Sequence, residues 1–533
     1  MTKVDKPEIN KVHTIQQSAV AIPLPDFEKK EIKTFFEPAI NSFDKHTEDD
    51  FVDFYQERNI PVMLSREGPK SAIADVNKDG LDDIYLDGAK GQAGQLYLQT
   101  KNGFIKKNVP AFEKDKEFED VAVLFFDFDN DGDEDLFVGA GGNDLPPRNP
   151  LLQHRLYKNN GRGDFIKDST AFPINSSNIS VATAYDYDGD GDLDLFVGGR
   201  STSFNYGVAP ASYIYQNDGK GHFTDVTEKL NTAITHIGMV TSAVWADVTG
   251  NKKNDLIIVG EWMAPHIFSY VNGKMEEVKT GMENMLGWWQ SIAAADMDGD
   301  GNNDLVLGNY GGNFYLRPDS TNPVKLWIND FDMNGLPDKV FSRTVNARPD
   351  DPAGRGKDVT VFLKKDFTEA LPSFKKENLK HNDFAGKTIQ TIFNPELLKS
   401  ASVKIFNYPN SCIAYNNGKG NFRIKELPVI AQLSSINSLL CRDINHDGKI
   451  DLIFGGNITD CLPQFGRLDA SYGTVLLNSG NRQFTEMPPS QTGISVTGMV
   501  RDIEMIKGLK DNYLMFLRND DYPVMYKLNP QTP

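Results

Sequence analysis

The sequence predicts an all-β chain built from repeated four-stranded units, and three observations carry that prediction. First, an acidic pattern recurs as "ADVNKDGLDDIYLDG" from Ala74, "DFDNDGDEDLFVGA" from Asp127, "DYDGDGDLDLFVGG" from Asp186, "DMDGDGNNDLVLGN" from Asp296 and "DINHDGKIDLIFGG" from Asp443. Each copy lies between a stretch of apolar or small residues and an apolar, strand-like run. Second, "LYKNNGRGDF", "IYQNDGKGHF", "IAYNNGKGNF" and "LLNSGNRQF" read as strand, Asn/Gly turn, strand, which is hairpin chemistry. Third, successive acidic loops start roughly 50 to 60 residues apart, the length of a four-stranded propeller blade. The expected fold is a seven-bladed β-propeller, with eight blades as the alternative.

Taken in order, each unit runs strand a, acidic loop, strand b, a variable connection, then a hairpin of strands c and d. Loops of the first three units begin at Asp75, Asp127 and Asp186. The fourth is worn: in "ADVTGNKKNDLIIVG", Thr249, Asn251 and Lys252 replace acid, acid and glycine. The fifth and sixth begin at Asp296 and Asp443, and a degenerate seventh, "RDIEMIKGLKDNYLMFLRND", keeps its strands without the acids. That last unit is one strand short, and "IPVMLS", upstream of the first unit, is expected to close the ring.

The interval from Asp296 to Asp443 is too long for one blade. It holds "VKLWINDFDMNGLPDKVF", an extra hairpin with its own acidic loop from Asp330. A charged segment follows, about 365 to 400, and is expected to be helical with Asn394 as N-cap and Pro395 at the first helical position. Residues 311 to about 402 are therefore assigned to an insertion between strands b and c of the fifth blade. The rival assignment starts an eighth blade at Asp330. Residues 1–42 are expected to form a linker and 43–533 the propeller.

Why so much like charge sits in single turns is answered by a cation. Carboxylates about 4 Å apart repel by roughly 1 kcal/mol even in water. Acids or amides at positions 1, 3, 5 and 9, with the backbone carbonyl of position 7, form an oxygen cage suited to calcium, and Gly at position 6 permits the turn. The candidate ligands are Asp75, Asn77, Asp79, Leu81 and Asp83; Asp127, Asp129, Asp131, Asp133 and Asp135; and Asp186, Asp188, Asp190, Asp192 and Asp194. They continue with Asp296, Asp298, Asp300, Asn302 and Asp304; Asp330, Asp332, Asn334, Leu336 and Asp338; and Asp443, Asn445, Asp447, Lys449 and Asp451. About six calcium ions are expected, with the worn Asp247 loop empty. These are not EF-hands: position 12, a bidentate Glu there, is Leu86, Val138, Val197, Leu307 or Phe454.

The formal charge of -18 argues against a nucleic-acid partner. No apolar run is long enough to span a bilayer. Cys412, Cys441 and Cys461 lack metal-ligand spacing, and at most one disulfide could form among them. "MTKVDKPEIN" shows no signal peptide or lipobox, which leaves a cytosolic protein or a piece of a secreted one.

The repeats resemble the FG-GAP or VCBS repeats of integrin α-subunit propellers and bacterial surface proteins. "MLSREGPKSAIADVNKDGLDDIYLDGAKGQAGQLYLQ" and "GWWQSIAAADMDGDGNNDLVLGN" are similar to bacterial homologues of cartilage acidic protein. The resemblance covers about residues 43 to 530. It implies a calcium-stabilised propeller, usually exported and often anchored at the cell surface (extracellular, periplasmic or on the outer surface), as part of a larger surface protein.

Other chemistry is sparse. Arg162-Gly163-Asp164 is an integrin-ligand tripeptide, but it occupies the hairpin turn filled by "GKGHF" and "GKGNF" elsewhere. The histidines form no metal or nucleophile motif. On the face opposite the acidic loops, Arg148, Arg200, Tyr206, Trp262, Trp288, Trp289 and Arg467 are expected to gather and could bind a protein or glycan ligand. Non-enzymatic binding is the expected function. The alternative is a polysaccharide lyase or hydrolase using the same face.

Overall fold

A computed structural model describes residues 33–175, 177–345 and 356–529. All that follows concerns the compact unit Thr34–Pro533. Residues 1–32 of the expected linker lie outside the described residues.

The chain is a β-propeller of antiparallel sheets. The first unit pairs Ser71–Ala74, Asp83–Leu86, Gln95–Thr100 and Gly103–Lys107 in chain order. The second, third, fourth and sixth units repeat that order, and the fourth adds Gly287–Trp288 against Asp255–Met263. The first strands of the seven units touch in succession, and Val500–Lys507 of the last touches Ser71–Ala74 of the first. They surround a small central pocket lined by Glu67 and by one residue from the start of each unit: Lys70, Val121, Ser180, Thr241, Gln290, Asn437 and Arg501. Short polar side chains stitch the inner strands together. Ser180 Oγ donates to the Val240 carbonyl at 2.7 Å, Thr241 Oγ1 to Trp289 at 2.8 Å and Ser291 Oγ to Ile436 at 2.7 Å.

The closing strand is Phe36–Ala39, which pairs with Val524–Leu528, Phe36 opposite Leu528 and Ala39 opposite Met525. This corrects two expectations. "IPVMLS" is not that strand: Met63 donates its backbone N–H to Asp460 instead. The propeller also begins at Thr34, inside the segment read as linker. Phe36 is the reason, since its fully buried ring joins the core between the sixth and seventh units with Ile453, Val475 and Phe516.

In the fifth unit, Asp304–Gly308 pairs directly with Cys412–Asn416, so the intervening chain is an insertion between strands b and c. It is more than a hairpin. Lys357–Thr360, Asp338–Val345, Val324–Asn329 and Ser402–Phe406 form a four-stranded sheet in that order. The insertion runs past 402 because Ser402–Phe406 is its edge strand, paired along Val324–Ile328. The helical expectation matches at Pro395–Ser400, where Asn394 Oδ1 accepts the Glu396 N–H at 2.9 Å. Short helices cover one face of this sheet through Phe367, Leu371, Phe384 and Ile389. The other face packs on the propeller.

Candidate metal centres and the covered face

Each acidic loop is shaped by its own side chains. In the first, Asp75 accepts the backbone N–H groups of Asp79 at 3.0 Å and Gly80 at 2.7 Å, while Asn77 accepts that of Asp79 at 2.9 Å. The loops from Asp127, Asp330 and Asp443 repeat this pattern. Position 6 takes a left-handed backbone, with Gly80 at φ +86° and Gly191 at +99°. Position 4 does so too, although Lys78, Asn130, Met333 and His446 carry a Cβ, with φ near +60°. Two left-handed residues in six make the turn tight enough to bring the acids together.

Position 2 is a buried apolar plug (Val76, Phe128, Tyr187, Met297, Phe331 or Ile444) set between neighbouring units or into the insertion core. Position 9 opens strand b and is fully buried at Asp83, Asp135, Asp194, Asp304 and Asp451. Asp304 accepts the backbone N–H of Met297 at 3.0 Å and of Asn416 at 2.7 Å, tying loop to strand c. Burial, aided by neighbouring acids, pushes the position-9 carboxyls up: Asp83 and Asp194 to about 7, Asp135 to about 8, Asp304 and Asp338 to about 6. A bound cation would displace those protons.

Four of the loops bring three carboxylates within 4.8 Å of one another: Asp127, Asp129 and Asp131; Asp186, Asp188 and Asp194; Asp296, Asp298 and Asp300; and Asp330, Asp332 and Asp338. In the first and last loops of the chain, Asn77 and Asn445 supply an amide in place of the third acid. The donor sets fit a hard cation, and a second observation points the same way. Asp129 Oδ1, Asp135 Oδ2, Asp194 Oδ2 and Asp332 Oδ1 are buried without a hydrogen-bond partner. Such oxygens are costly unless something positive meets them.

The worn loop differs on this point from the Asp127, Asp186 and Asp330 loops, its position-9 acid being partnered within the protein as are Asp83, Asp304 and Asp451. Asp255 accepts from the Val248 and Thr249 backbone N–H groups and from the hydroxyls of Thr249 and Ser269. Hydroxyls do there what a cation would do elsewhere. Lys252 keeps the turn at φ +67°.

A further link joins neighbouring units. The Asn that ends strand c reaches back to the position-2 carbonyl of the preceding loop. Asn159 donates to Val76 at 2.8 Å, Asn217 to Phe128 at 2.7 Å, Asn416 to Val248 at 2.8 Å and Asn478 to Met297 at 2.8 Å. The sequence signal was there, as the first Asn of "KNNG", "QNDG", "YNNG" and "LNSG". The Arg162-Gly163-Asp164 turn is engaged in the same joint: Gly163 donates to Val76 at 3.0 Å, and Asp164 pairs with Lys107 at 2.8 Å.

The expected ligand face is largely covered. Tyr206, Trp262 and Trp288 lie in one core with Val324, Leu326, Phe341 and Phe406 of the insertion. Trp288 stacks on Phe406 with ring centroids 4.5 Å apart. Trp289 lies in a different core, between the fourth and fifth units, and donates Nε1 to the Met263 carbonyl at 3.1 Å. Arg200 is buried between Glu67 at 3.2 Å and Glu261 at 3.0 Å. None of these five can meet a ligand: the insertion sheet covers Tyr206, Trp262 and Trp288, while Trp289 is buried between blades and Arg200 between two glutamates. Arg148 and Arg467 remain exposed. On the same side, a groove of about 410 Å³ is lined by Tyr55, Arg58, Asn205, Leu336 and Glu369, with Asn334 and Asp338 of the inserted acidic loop at its edge.

A family model described as FG-GAP-like repeat matches residues 127–197, 186–258 and 247–307, and one described as FG-GAP repeat matches 288–327. No curated protein matches the chain by sequence. Among solved structures, the chain is similar to the V. cholerae biofilm matrix protein Bap1, at 12% identity over 94% of this chain and 92% of that one, TM-score 0.37. It is also similar to BBS1N crystallised with ARL6DN, at 9% identity over 94% and 99%, TM-score 0.40. A third similarity is to the Dos1 propeller, at 11% identity over 90% and 97%, TM-score 0.36.

Proposed function

From a chain that carries FG-GAP repeats and folds as a β-propeller, we propose a non-enzymatic, calcium-binding module of seven blades. It belongs to an exported or cell-surface protein and binds a protein or glycan ligand. The observation that carries the calcium reading is the set of partnerless buried oxygens on Asp129, Asp135, Asp194 and Asp332, each inside an acidic loop. Calcium would be held by side chains at positions 1, 3, 5 and 9 and the carbonyl at position 7, in the five blade loops from Asp75, Asp127, Asp186, Asp296 and Asp443 and in the inserted loop from Asp330. Bound there, it supplies positive charge and rigidity.

FG-GAP repeats are typical of extracellular proteins, which supports a site of action outside the cytoplasm. Among the described residues, no helix is long and apolar enough to cross a membrane. For the ligand, the groove beside the inserted loop replaces the covered aromatics, with Tyr55, 81% exposed, offering a ring for a sugar or an apolar peptide side chain.

Calcium titration of the chelator-stripped chain tests the reading. About six ions are expected, and an inert titration would overturn it. A glycan array and a surface-protein pull-down, each repeated with Tyr55→Ala, test the groove.

A further inference from the structure

The third-position aspartate of three acidic loops is met by a side chain from outside the loop, and the charge of that side chain differs. In the second unit it is Lys158, the residue before the strand-c Asn, whose ammonium pairs with Asp129 and lies 3.1 Å from Asp131. In the third unit the same place holds Gln216, whose neutral amide donates to Asp188 Oδ2 at 2.7 Å. In the fifth unit the place holds Tyr415. Arg482 from the next unit's hairpin lies over that ring, 4.5 Å from its centroid, and binds Asp298 Oδ2 through Nε at 2.8 Å and Nη2 at 2.6 Å.

We propose that these side chains set the calcium affinity of their loops, Lys158 and Arg482 acting as tethered cations and Gln216 as a neutral support. The inference rests on the reading of the loops as calcium sites. In the second unit the two roles fall on one carboxylate: Lys158 holds Asp129 Oδ2, while Asp129 Oδ1 is buried without a partner and faces no competitor. The ammonium therefore leaves the ligating oxygen free but keeps its charge close to the ion. A single positive charge about 5 Å from a divalent ion weakens its binding by more than tenfold even with the screening of bulk water. Lys158 and Arg482 are 46% and 36% exposed, so both can shift enough to admit the ion while staying tethered beside it. The Asp186 loop, supported without added charge, fills first. The Asp127 and Asp296 loops fill at higher calcium, and the propeller stiffens in steps across a range of concentrations.

The test is calcium titration of the whole chain, in competition with a chromophoric chelator, for wild type, Lys158→Gln, Lys158→Met, Arg482→Gln and Gln216→Lys. Both Lys158 variants should tighten one weak site about tenfold, Arg482→Gln should tighten another, and Gln216→Lys should weaken a third, tighter than those two in the wild type, about tenfold. Circular dichroism in excess chelator checks that each variant is folded. Because Met and Gln share only the loss of charge, a gain in one and not the other counts against the proposal. Constants within twofold of a wild type that does bind calcium would overturn it and leave the calcium reading standing. A wild type that binds none overturns both.

Discussion

Asn217, at the end of strand c in the third unit, donates its side-chain amide to the carbonyl of Phe128 in the second unit's acidic loop at 2.7 Å, while its own backbone N–H is held by Asp194 at 2.9 Å. One residue thus joins its own loop to the loop next door. Asn217→Ala leaves the buried Phe128 carbonyl short of a donor and should cost about 1 to 3 kcal/mol. Denaturant unfolding at saturating calcium would measure it, and a loss below a few tenths would show that the joint is redundant.

Chelation should lower the melting temperature, because each filled site stabilises the native state alone. At a free calcium of a hundred times Kd, one site contributes about 2.7 kcal/mol. With several sites the shift in Tm should be large and reversible on adding calcium back. An unchanged melt in excess chelator contradicts the multi-site reading.

The Asp247 loop should stay empty at any calcium level that fills its neighbours. Its position-9 acid is satisfied by the Thr249 and Ser269 hydroxyls, and Lys252 sits at the turn. Anomalous scattering from crystals grown in calcium should show no peak beside Asp247. Lys252→Gly alone should not create one, because Thr249 and Asn251 still lack charge.

The inserted loop should bind one ion apart from the others. Its neighbours are Phe204 and Asn205 in the strand b to c connection of the third unit, and Lys339 donates to the Phe204 carbonyl at 2.8 Å. Asp330→Asn with Asp332→Asn should remove one ion from the total and leave the remaining constants unchanged. Loss of two or more ions would mean that this loop is coupled to the blade loops.

His154 gives the fold an acid-sensitive point. Its ring is 3% exposed, lies among Phe137, Phe172, Tyr213 and Tyr215, and has no hydrogen-bond partner on either nitrogen. Burial pushes it down to about 3 from an ordinary 6.5. The unfolded chain therefore takes up a proton that the native state refuses, and stability falls as pH drops from about 6.5 toward 3. Relative to His154→Phe, the wild type should lose roughly 3 kcal/mol between pH 7 and pH 4. A pH-independent difference between the two would refute this.

The sequence announces what repeats and conceals what occurs once. Six acidic loops share a spacing because each has to make the same turn, and "KNNG" and its relatives mark hairpins for the same reason. Asn394 and Pro395 could be placed because a helix start is a local event. The role of Phe36 is hidden, since nothing near "FEPA" says that its partner lies almost five hundred residues away. Trp288 and Tyr206 looked like a binding face because their cover, Phe341 and Phe406, arrives from a segment whose destination no local pattern encodes. The contacts of Lys158 and Gln216 with the acidic loops depend on where strand c lies, which no local pattern gives.

The pairing that closes the ring also decides how the molecule carries load. Phe36 lies directly opposite Leu528, and the two chain directions leave that pair side by side. Tension applied upstream of Thr34 and downstream of Asn529 would load the bonds of Thr34 and Phe35 to Asn529 first and then open the strand like a zipper, bond after bond. It would not shear all its bonds at once. Any larger assembly that pulls on both flanks of this chain would meet a soft release at Phe36–Ala39, while the acidic loops, away from the line of force, stay intact.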